Sequence, residues 1–566
     1  MNSLSNGLRR FARSMVLLSP TLASVVLLTM AVVSYSWGST LINLACSIQD
    51  DSFYYFIPAW NASRGAGYAM GGEITSGFQP LYELLLTAVS YFCNSLEALL
   101  RAALTLNGWL FGITALVIAL ALARMIRSTL PNLRAASVAV SINAAALSFM
   151  CLHTVFFSSI TGKENALAAL LLAGLIASVF SSRQGGWRSL VVGSLCGLLL
   201  LTRIAPSSLA YVAIAILLVQ GSRGRIIALV ACGLPVVIWG VLARRYFGHA
   251  LPMSMLVKIA APNHLSVLHS LKSGFHYLWE STRFSFSHSS KFTVPQLKVR
   301  DASRSLLQTA LMAAAVGLAF VGLLKHLASR SLSRPIVALL LFDLAGTSCS
   351  ILFGVAQAGR SDDMYYTVWY VYDLPVLIAV NVGFALAFIQ AQVAESRVAK
   401  PVTAALALGA MAYFANDIAW YLRLRPYTAE DDASFAHGWQ RTEIEAAVWF
   451  RDHVAPTNPS YRIIAYSSGA LSFYLFDHVV NVDGLANNRA GEAIMADSSS
   501  LGYIKASRPD YFIDICRAEP PLGNVQRLHV LAFPQQGNYC IDRFVYNPSP
   551  RPAVKADDST APRAPL

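Results

Sequence analysis

The chain of 566 residues is 55% hydrophobic and 13% charged, proportions that exclude an ordinary soluble enzyme and require its long apolar runs to be weighed as bilayer spans. Its net charge of +13 does not indicate nucleic acid, because the Lys and Arg residues form short clusters between apolar runs, as cytoplasmic loops do. The eight cysteines show no CxxC or Cys/His ligand spacing; Cys151, Cys196, Cys232 and Cys349 lie in apolar segments, where a thiol acts as a small hydrophobe.

Met1 to Leu18 begins basic, like a signal peptide, but the apolar run continues to about Trp37, too long for a signal core, so it reads as the first span. Runs of about 17 to 25 apolar residues predict further spans near 102–123, 135–157, 165–181, 188–204, 207–220, 226–243, 305–325, 335–355, 369–390 and 401–421. With 15–37 these make about eleven transmembrane helices. The stretch Leu81 to Phe92 is too short to cross and reads as re-entrant or interfacial. Placing the clusters Arg9/Arg10/Arg13, Arg124/Arg127/Arg134, Arg183/Arg188, Arg223/Arg225, Lys325/Arg330/Arg334 and Arg397/Lys400 inside the cell makes the amino terminus cytoplasmic. The loops 38–101, 158–164, 244–304 and 356–368 then lie outside, with the carboxyl tail.

These external segments hold most of the acidic, amide and aromatic residues, so chemistry is expected there. The tail changes in kind: AAVWFRDHV reads as a helix, and YRIIAYS, HVVNVDG and RPDYFID read as strands, with Gly469 and Gly484 at the breaks. The predicted organisation is therefore a membrane domain over 1–421, with its first external loop at 38–101, and a small periplasmic α/β domain over 422–548. A Pro-rich, polar and disordered stretch follows over 549–566. Cys516 and Cys540 share the oxidising compartment and either pair or remain two free thiols.

Asp50 and Asp51 follow the first span directly. They suit a solvated loop or a helix amino terminus, where acid complements the macrodipole. Behind them come the aromatic segment Phe53 to Trp60 and the glycines Gly65, Gly67, Gly71, Gly72 and Gly77, a composition that can fold back on the membrane surface as short helices and turns.

Together these residues resemble the GT-C glycosyltransferases, and especially bacterial members whose first external loop reads DD-x-Y-Y, then N-x-x-x-G-x-G, then N/S-G-F-x-P-L. Here those elements are Asp50, Asp51, Tyr54, Asn61, Gly65, Gly67, Ser76, Gly77, Phe78, Pro80 and Leu81. TGKEN, with Gly162 and Glu164, resembles the family's S-G-M-E-x turn, and FGHALPMSMLVK, with Pro252, Ser254 and Lys258, its F-G-x-x-x-P-x-S-x-x-x-K loop. SSGALSFYLFDHVVNVDGLANN, with Gly469, Asp483, Gly484, Leu485 and Asn487, is similar to the tail signature G-x-x-G-Y-x-S-x-x-x-V-V-N-L-D-G-L-x-N. The motifs occur in family order from Asp50 to about Asp514. Departures are Arg203-Ile204-Ala205, where relatives often carry R-P-D, and Phe473 and Phe476 around the usual Gly-Tyr-Phe.

The resemblance implies a GT-C membrane protein of the bacterial inner membrane, close to polyprenyl-phosphate-sugar-dependent mannosyl-, aminoarabinose and arabinofuranosyltransferases. Such an enzyme transfers a sugar with inversion from a polyprenyl phosphate or pyrophosphate carrier to an envelope glycan, lipid or protein acceptor outside the membrane. It implies Asp50 as the base, with Asp51 orienting the acceptor or sharing the task, and Arg203 and Lys258 as cations for the donor phosphate. Tyr54, Asn61, Glu73, Glu164 and Trp369 are candidate substrate contacts; Glu164 equally suits a helix amino terminus, and Trp369 an aromatic belt. Paired carboxylates also admit a divalent cation, Mg or Mn, although the dyad alone defines no metal site. A lipid or solute transporter or flippase is the alternative; it predicts internal repeat symmetry and broken helices at mid-membrane, and no convincing repeat is found.

Overall fold

The computed structural model describes residues 2–48, 50–181, 185–260, 272, 334–357, 372–393, 438–466, 468–497, 499–516, 525–531 and 539–545. The spans expected at 305–325 and 401–421, Trp369 and the terminal stretch 549–566 lie outside these residues. The other expected spans coincide with helices: α1 (Asn2–Gly38), α5 (Leu96–Thr129), α6 (Ala135–Cys151), α8 (Asn165–Val179), α9 (Gly186–Thr202), α10 (Pro206–Leu217), α11 (Ser222–Phe247), α13 (Arg334–Gln357) and α14 (Leu374–Val393). Among the described residues, five helices are long and apolar enough to cross a membrane: those holding Ser19–Gly38, Leu96–Thr129, Ser222–Phe247, Pro335–Leu352 and Leu374–Ala391. Small residues let backbones meet: a Cβ on Gly193 or Gly197 of α9 would overlap the Ala228 or Cys232 carbonyl of α11, a small-xxx-small contact.

Two boundaries differ from the sequence reading. The run 135–157 breaks at Leu152, whose extended backbone (ψ 127°) ends α6 and starts α7 (His153–Thr161), so the expected turn at 158–164 is helical up to Thr161. The first external loop yields its end to α5, because the Ser95 side chain accepts the Ala98 N–H (3.0 Å) and caps that helix earlier than its apolar run suggests.

Most of the loop is ordered. It contains α2 (Leu41–Ser47), α3 (Asp50–Ser63), the hairpin β1 (Ala69–Met70) and β2 (Glu73–Ile74), and the eleven-residue α4 (Pro80–Ser90). Phe53, Phe56 and Ile57 of α3 are fully buried in the main apolar core, which fixes the helix axially and leaves its first turn to present Asp50 and Asp51.

The tail forms the expected α/β unit. Strands β3 (Ile463–Ala465), β4 (Val479–Asn481), β5 (Tyr511–Ile515), β6 (Val525–Leu531) and β7 (Tyr539–Phe544) lie in the order β4-β3-β5-β7-β6, with β3 parallel to both β4 and β5, and β7 antiparallel to β5 and β6. Period-two alternation feeds two cores: Ile463, Ala465, Tyr511 and Ile513 pack with Phe450 of α15 (Gly438–His453), whereas Ile464, Val480 and Phe512 face the other way. Helix α16 (Gly469–Leu475) starts at the glycine read as a break, and α17 (Asn488–Asp497) and α18 (Leu501–Ser507) follow β4. Cys516 and Cys540 are disulfide-bonded.

The tail sits directly on the first loop. Asn488 Oδ1 accepts from both Ser76 N (2.9 Å) and Ser76 Oγ (3.0 Å), and Glu73 accepts from Arg462 (2.8 Å) and Tyr503 (3.1 Å). A Cβ on Gly71 would overlap the Val479 carbonyl oxygen, and one on Gly77 that of Leu485. Gly71 and its neighbour Gly72 both have positive φ (59° and 74°), but Gly72 faces open space. Alanine at Gly72 should therefore cost only the left-handed strain, about 1–2 kcal/mol, whereas Gly71→Ala should also lift the tail. Limited proteolysis of the two variants should release the tail from Gly71→Ala alone.

Candidate active site

The turn after α7 is built by side chains from three other helices. Ser52 Oγ of α3 donates to the Thr161 carbonyl (2.5 Å), Tyr82 of α4 to that of Gly162 (3.0 Å), and Asn107 of α5 to that of Lys163 (3.0 Å). With Gly162 in the left-handed region (φ 76°), the chain reverses and projects Lys163 and Glu164 toward α3. Lys163 Nζ donates to Asp51 Oδ2 (2.9 Å); the lysine side chain is 6% exposed and the aspartate 45%. Glu164 accepts from Tyr55 on Oε2 (2.9 Å) and from Arg203 on Oε1 (2.7 Å).

Arg203 occupies a break between two helices: it caps α9 in extended conformation (φ −155°, ψ 106°), and Pro206 opens α10. The exposed N–H of Ile204 there is taken by Gln79 Oε1 (3.3 Å). The arginine is buried, donates to Asn165 Oδ1 (2.7 Å) as well as to Glu164, and lies 5.8 Å from the Tyr372 ring centroid. It is thus an interior ion-pair partner, not a snorkelling anchor.

Asp50 faces the tail. Its Oδ1 accepts the Ala470 N–H (2.9 Å) and its Oδ2 the Tyr54 hydroxyl (3.1 Å). A Cβ on Gly469 would overlap Asp50, so glycine is required there. Burial, offset by the Ala470 N–H and reinforced by the Asp51 charge, pushes the Asp50 carboxyl up to about 6. Asp483, beyond β4, is raised by burial to about 7, with the Asp50 and Asp51 charges adding to the effect. Glu443 of α15 is fully buried; its Oε1 holds the Leu471 N–H (3.0 Å), and burial pushes its carboxyl well above the usual range.

A cavity of about 60 Å³ is lined by Asp51, Tyr54, Tyr55, Gly77, Gln79, Lys163, Glu164, Ser254 and Leu485. Its walls belong to the first loop, the turn after α7, α12 (Met253–Ala260) and the tail.

Asp51, Tyr54 and Glu164 line this cavity, Asp50 is hydrogen-bonded to Tyr54, and Arg203 stands behind Glu164. Asn61 and Glu73 do other work: Asn61 is buried and donates to the Ala69 carbonyl (2.8 Å), shaping the hairpin, while Glu73 binds the tail. Lys258 lies on α12 (Met253–Ala260), four residues beyond the cavity-lining Ser254; its side chain is outside the described residues, as is Trp369. Lys163, Gln79, Glu443 and Asp483 are site residues that pattern reading passed over, although Lys163 and Asp483 lie inside motifs it used.

No protein-family model matches the chain, and no curated protein matches it. Solved structures do. ArnT from Cupriavidus metallidurans bound to undecaprenyl phosphate has a TM-score of 0.49 at 12% identity, covering 91% of this chain and 97% of that one; the apo form of ArnT gives 0.48 at 13%, covering 94% and 98%. The archaeal oligosaccharyltransferase AglB from Archaeoglobus fulgidus, in complex with an inhibitory peptide and a dolichol-phosphate, gives 0.45 at 13%, covering 87% and 69%.

Among the described residues, no group of three or more His, Cys, Asp or Glu is arranged to hold a metal ion. The titrations carry a sign. Asp50 and Asp483 both sit above the ordinary carboxylate value of 3.8, so the folded state holds their protons more tightly than the unfolded chain does. Their stabilising contribution is complete below about pH 4 and is lost as pH rises through 6 and 7. The melting temperature of the intact chain should be higher at pH 5 than at pH 8, and Asp483→Asn should flatten the upper part of that slope in a pH series of thermal melts.

Proposed function

We propose that the chain is an inverting GT-C glycosyltransferase that moves a sugar from a polyprenyl phosphate or pyrophosphate carrier to an envelope glycan, lipid or protein acceptor. The reaction takes place on the outer face of the bacterial inner membrane, with the amino terminus cytoplasmic and the tail domain of 422–548 periplasmic. One observation carries the reading: on the wall of one cavity at the seam between helices and tail, Asp51, the chain neighbour of Asp50, meets a buried lysine beside Glu164, whose buried ion-pair partner is Arg203.

The residues divide the work by charge. Asp50, raised by burial to about 6, has a pKa near the operating pH and takes the acceptor's proton. Asp51, on the cavity wall, orients the hydroxyl. As that oxygen bonds to the anomeric carbon, the bond from carbon to the carrier phosphate breaks, and the electron pair leaves on the phosphate. Developing negative charge there is met by Lys163 on the cavity wall, by Lys258 on α12, and by the field of Arg203 behind Glu164. Tyr54 and Tyr55 line the cavity and face the sugar.

The test is mass spectrometry of envelope glycolipids and polysaccharides from cells lacking the protein, with and without the wild-type chain restored. A defined sugar that vanishes and returns supports transfer. An unchanged envelope profile, with movement of a lipid or solute lost instead, establishes a transporter.

A further inference from the structure

We propose that Asn481 of the tail is a positioning residue for Asp50 that acts through Tyr54, so that docking of the tail directs the Tyr54 proton onto the carboxylate. This rests on Asp50 as the proton acceptor proposed above. A phenol carries one proton and two lone pairs. Two groups that can only donate approach the Tyr54 oxygen from the tail, Asn481 Nδ2 at 3.3 Å and Ser468 N at 3.4 Å. With its lone pairs facing donors, the hydroxyl has one outlet for its own proton, Asp50 Oδ2 at 3.1 Å.

Asn481 is built for this. It is 1% exposed at the end of β4, its two N–H protons are shared among the Tyr54 hydroxyl (3.3 Å), the Tyr466 carbonyl (2.9 Å) and Ser468 Oγ (3.0 Å), and its Oδ1 receives the Ala486 N–H (3.4 Å). That last bond fixes which end of the amide faces Tyr54. Its own carbonyl is pinned by Asn487 Nδ2 (2.9 Å). Without the tail, Tyr54 is free to turn its proton elsewhere and Asp50 also loses the Ala470 N–H, so the hydrogen bonds that orient the carboxylate belong to the docked state.

Other groups act on Asp50 and set the design of the test. Asp51 and Tyr54 face it from α3, Glu443 from α15, Asp483 from beyond β4 and Tyr539 from β7, while Lys163 is paired with Asp51. Asn481 also hydrogen-bonds Asp483. Losing that bond makes Asp483 more easily protonated, which would lower the Asp50 midpoint, opposite to the effect through Tyr54.

The full chain in lipid nanodiscs is titrated by infrared spectroscopy, and Asp50 is isolated by subtracting the same protein carrying Asp50→Asn. Asn481→Ala and Tyr54→Phe should each raise the Asp50 midpoint by on the order of one pH unit. Adding Asn481→Ala to Tyr54→Phe should raise it no further. Should Asn481→Ala not fold, Asn481→Leu serves: it is nearly isosteric, cannot donate, and adds no charge near Asp50. A midpoint unmoved by the Asn481 variants, or a further rise on adding one to Tyr54→Phe, overturns the proposal. No sugar substrate is needed, so this result stands apart from the envelope profile that tests the transferase reading.

Discussion

Asp50→Asn should lower sugar transfer by about 10²- to 10⁴-fold, the usual worth of a positioned base, while leaving the chain folded. The amide oxygen keeps the Ala470 N–H, so the contact that seats residue 50 against Gly469 and Ala470 persists, while its NH2 stands where the second carboxylate oxygen received the Tyr54 hydroxyl. What is lost is the capacity to take a proton. The readout is the envelope sugar profile of deleted cells carrying each variant at matched expression. Asp51→Asn should have the smaller effect, because it removes the partner of Lys163 and the orienting contact on the cavity wall but leaves the base. A deeper loss in Asp51→Asn than in Asp50→Asn would move the base to the residue that lines the cavity. Normal profiles with both variants would make the pair structural.

The spans, the tail strands and the acid pair were legible because each is local: an apolar run, a period-two alternation or a motif shows itself within about twenty residues. Leu152 escaped because a helix break needs neither Pro nor Gly; the surrounding residues are apolar and helix-compatible, and tertiary packing decides. The partners of Glu73 and Asn61 are hidden from the sequence for a related reason. Each stands inside a family-like motif, but Glu73 is claimed by Arg462 and Tyr503, hundreds of residues away, and Asn61 by the hairpin it shapes. Lys163 and Asp483 were quoted within their motifs and given no role, since a lysine beside a helix start is ordinarily a solvated charge. Only the Asn107, Tyr82 and Ser52 side chains, by pinning three successive carbonyls, turn Lys163 inward.

Arg203 and Glu164 present the second large effect, and it separates stability from catalysis. Their side chains are 5% and 6% exposed and 2.7 Å apart. Removing one partner leaves a buried charge uncompensated, so Arg203→Ala should destabilise the chain by about 3–5 kcal/mol, read as a fall in melting temperature and in yield. Glu164→Ala should act similarly and also strand the Tyr55 hydroxyl. Replacing both with apolar residues of like volume, Arg203→Met with Glu164→Leu, should recover much of that stability, because the pair's mutual attraction barely offsets its desolvation. Activity should not return with it. If the pair serves only the fold, the stabilised double variant restores the envelope sugar; if the arginine's field supports the departing phosphate, the double variant is folded and inactive. The latter is the expected result, since the pair lies immediately behind the cavity wall that Glu164 helps to form and the charge that develops there is anionic.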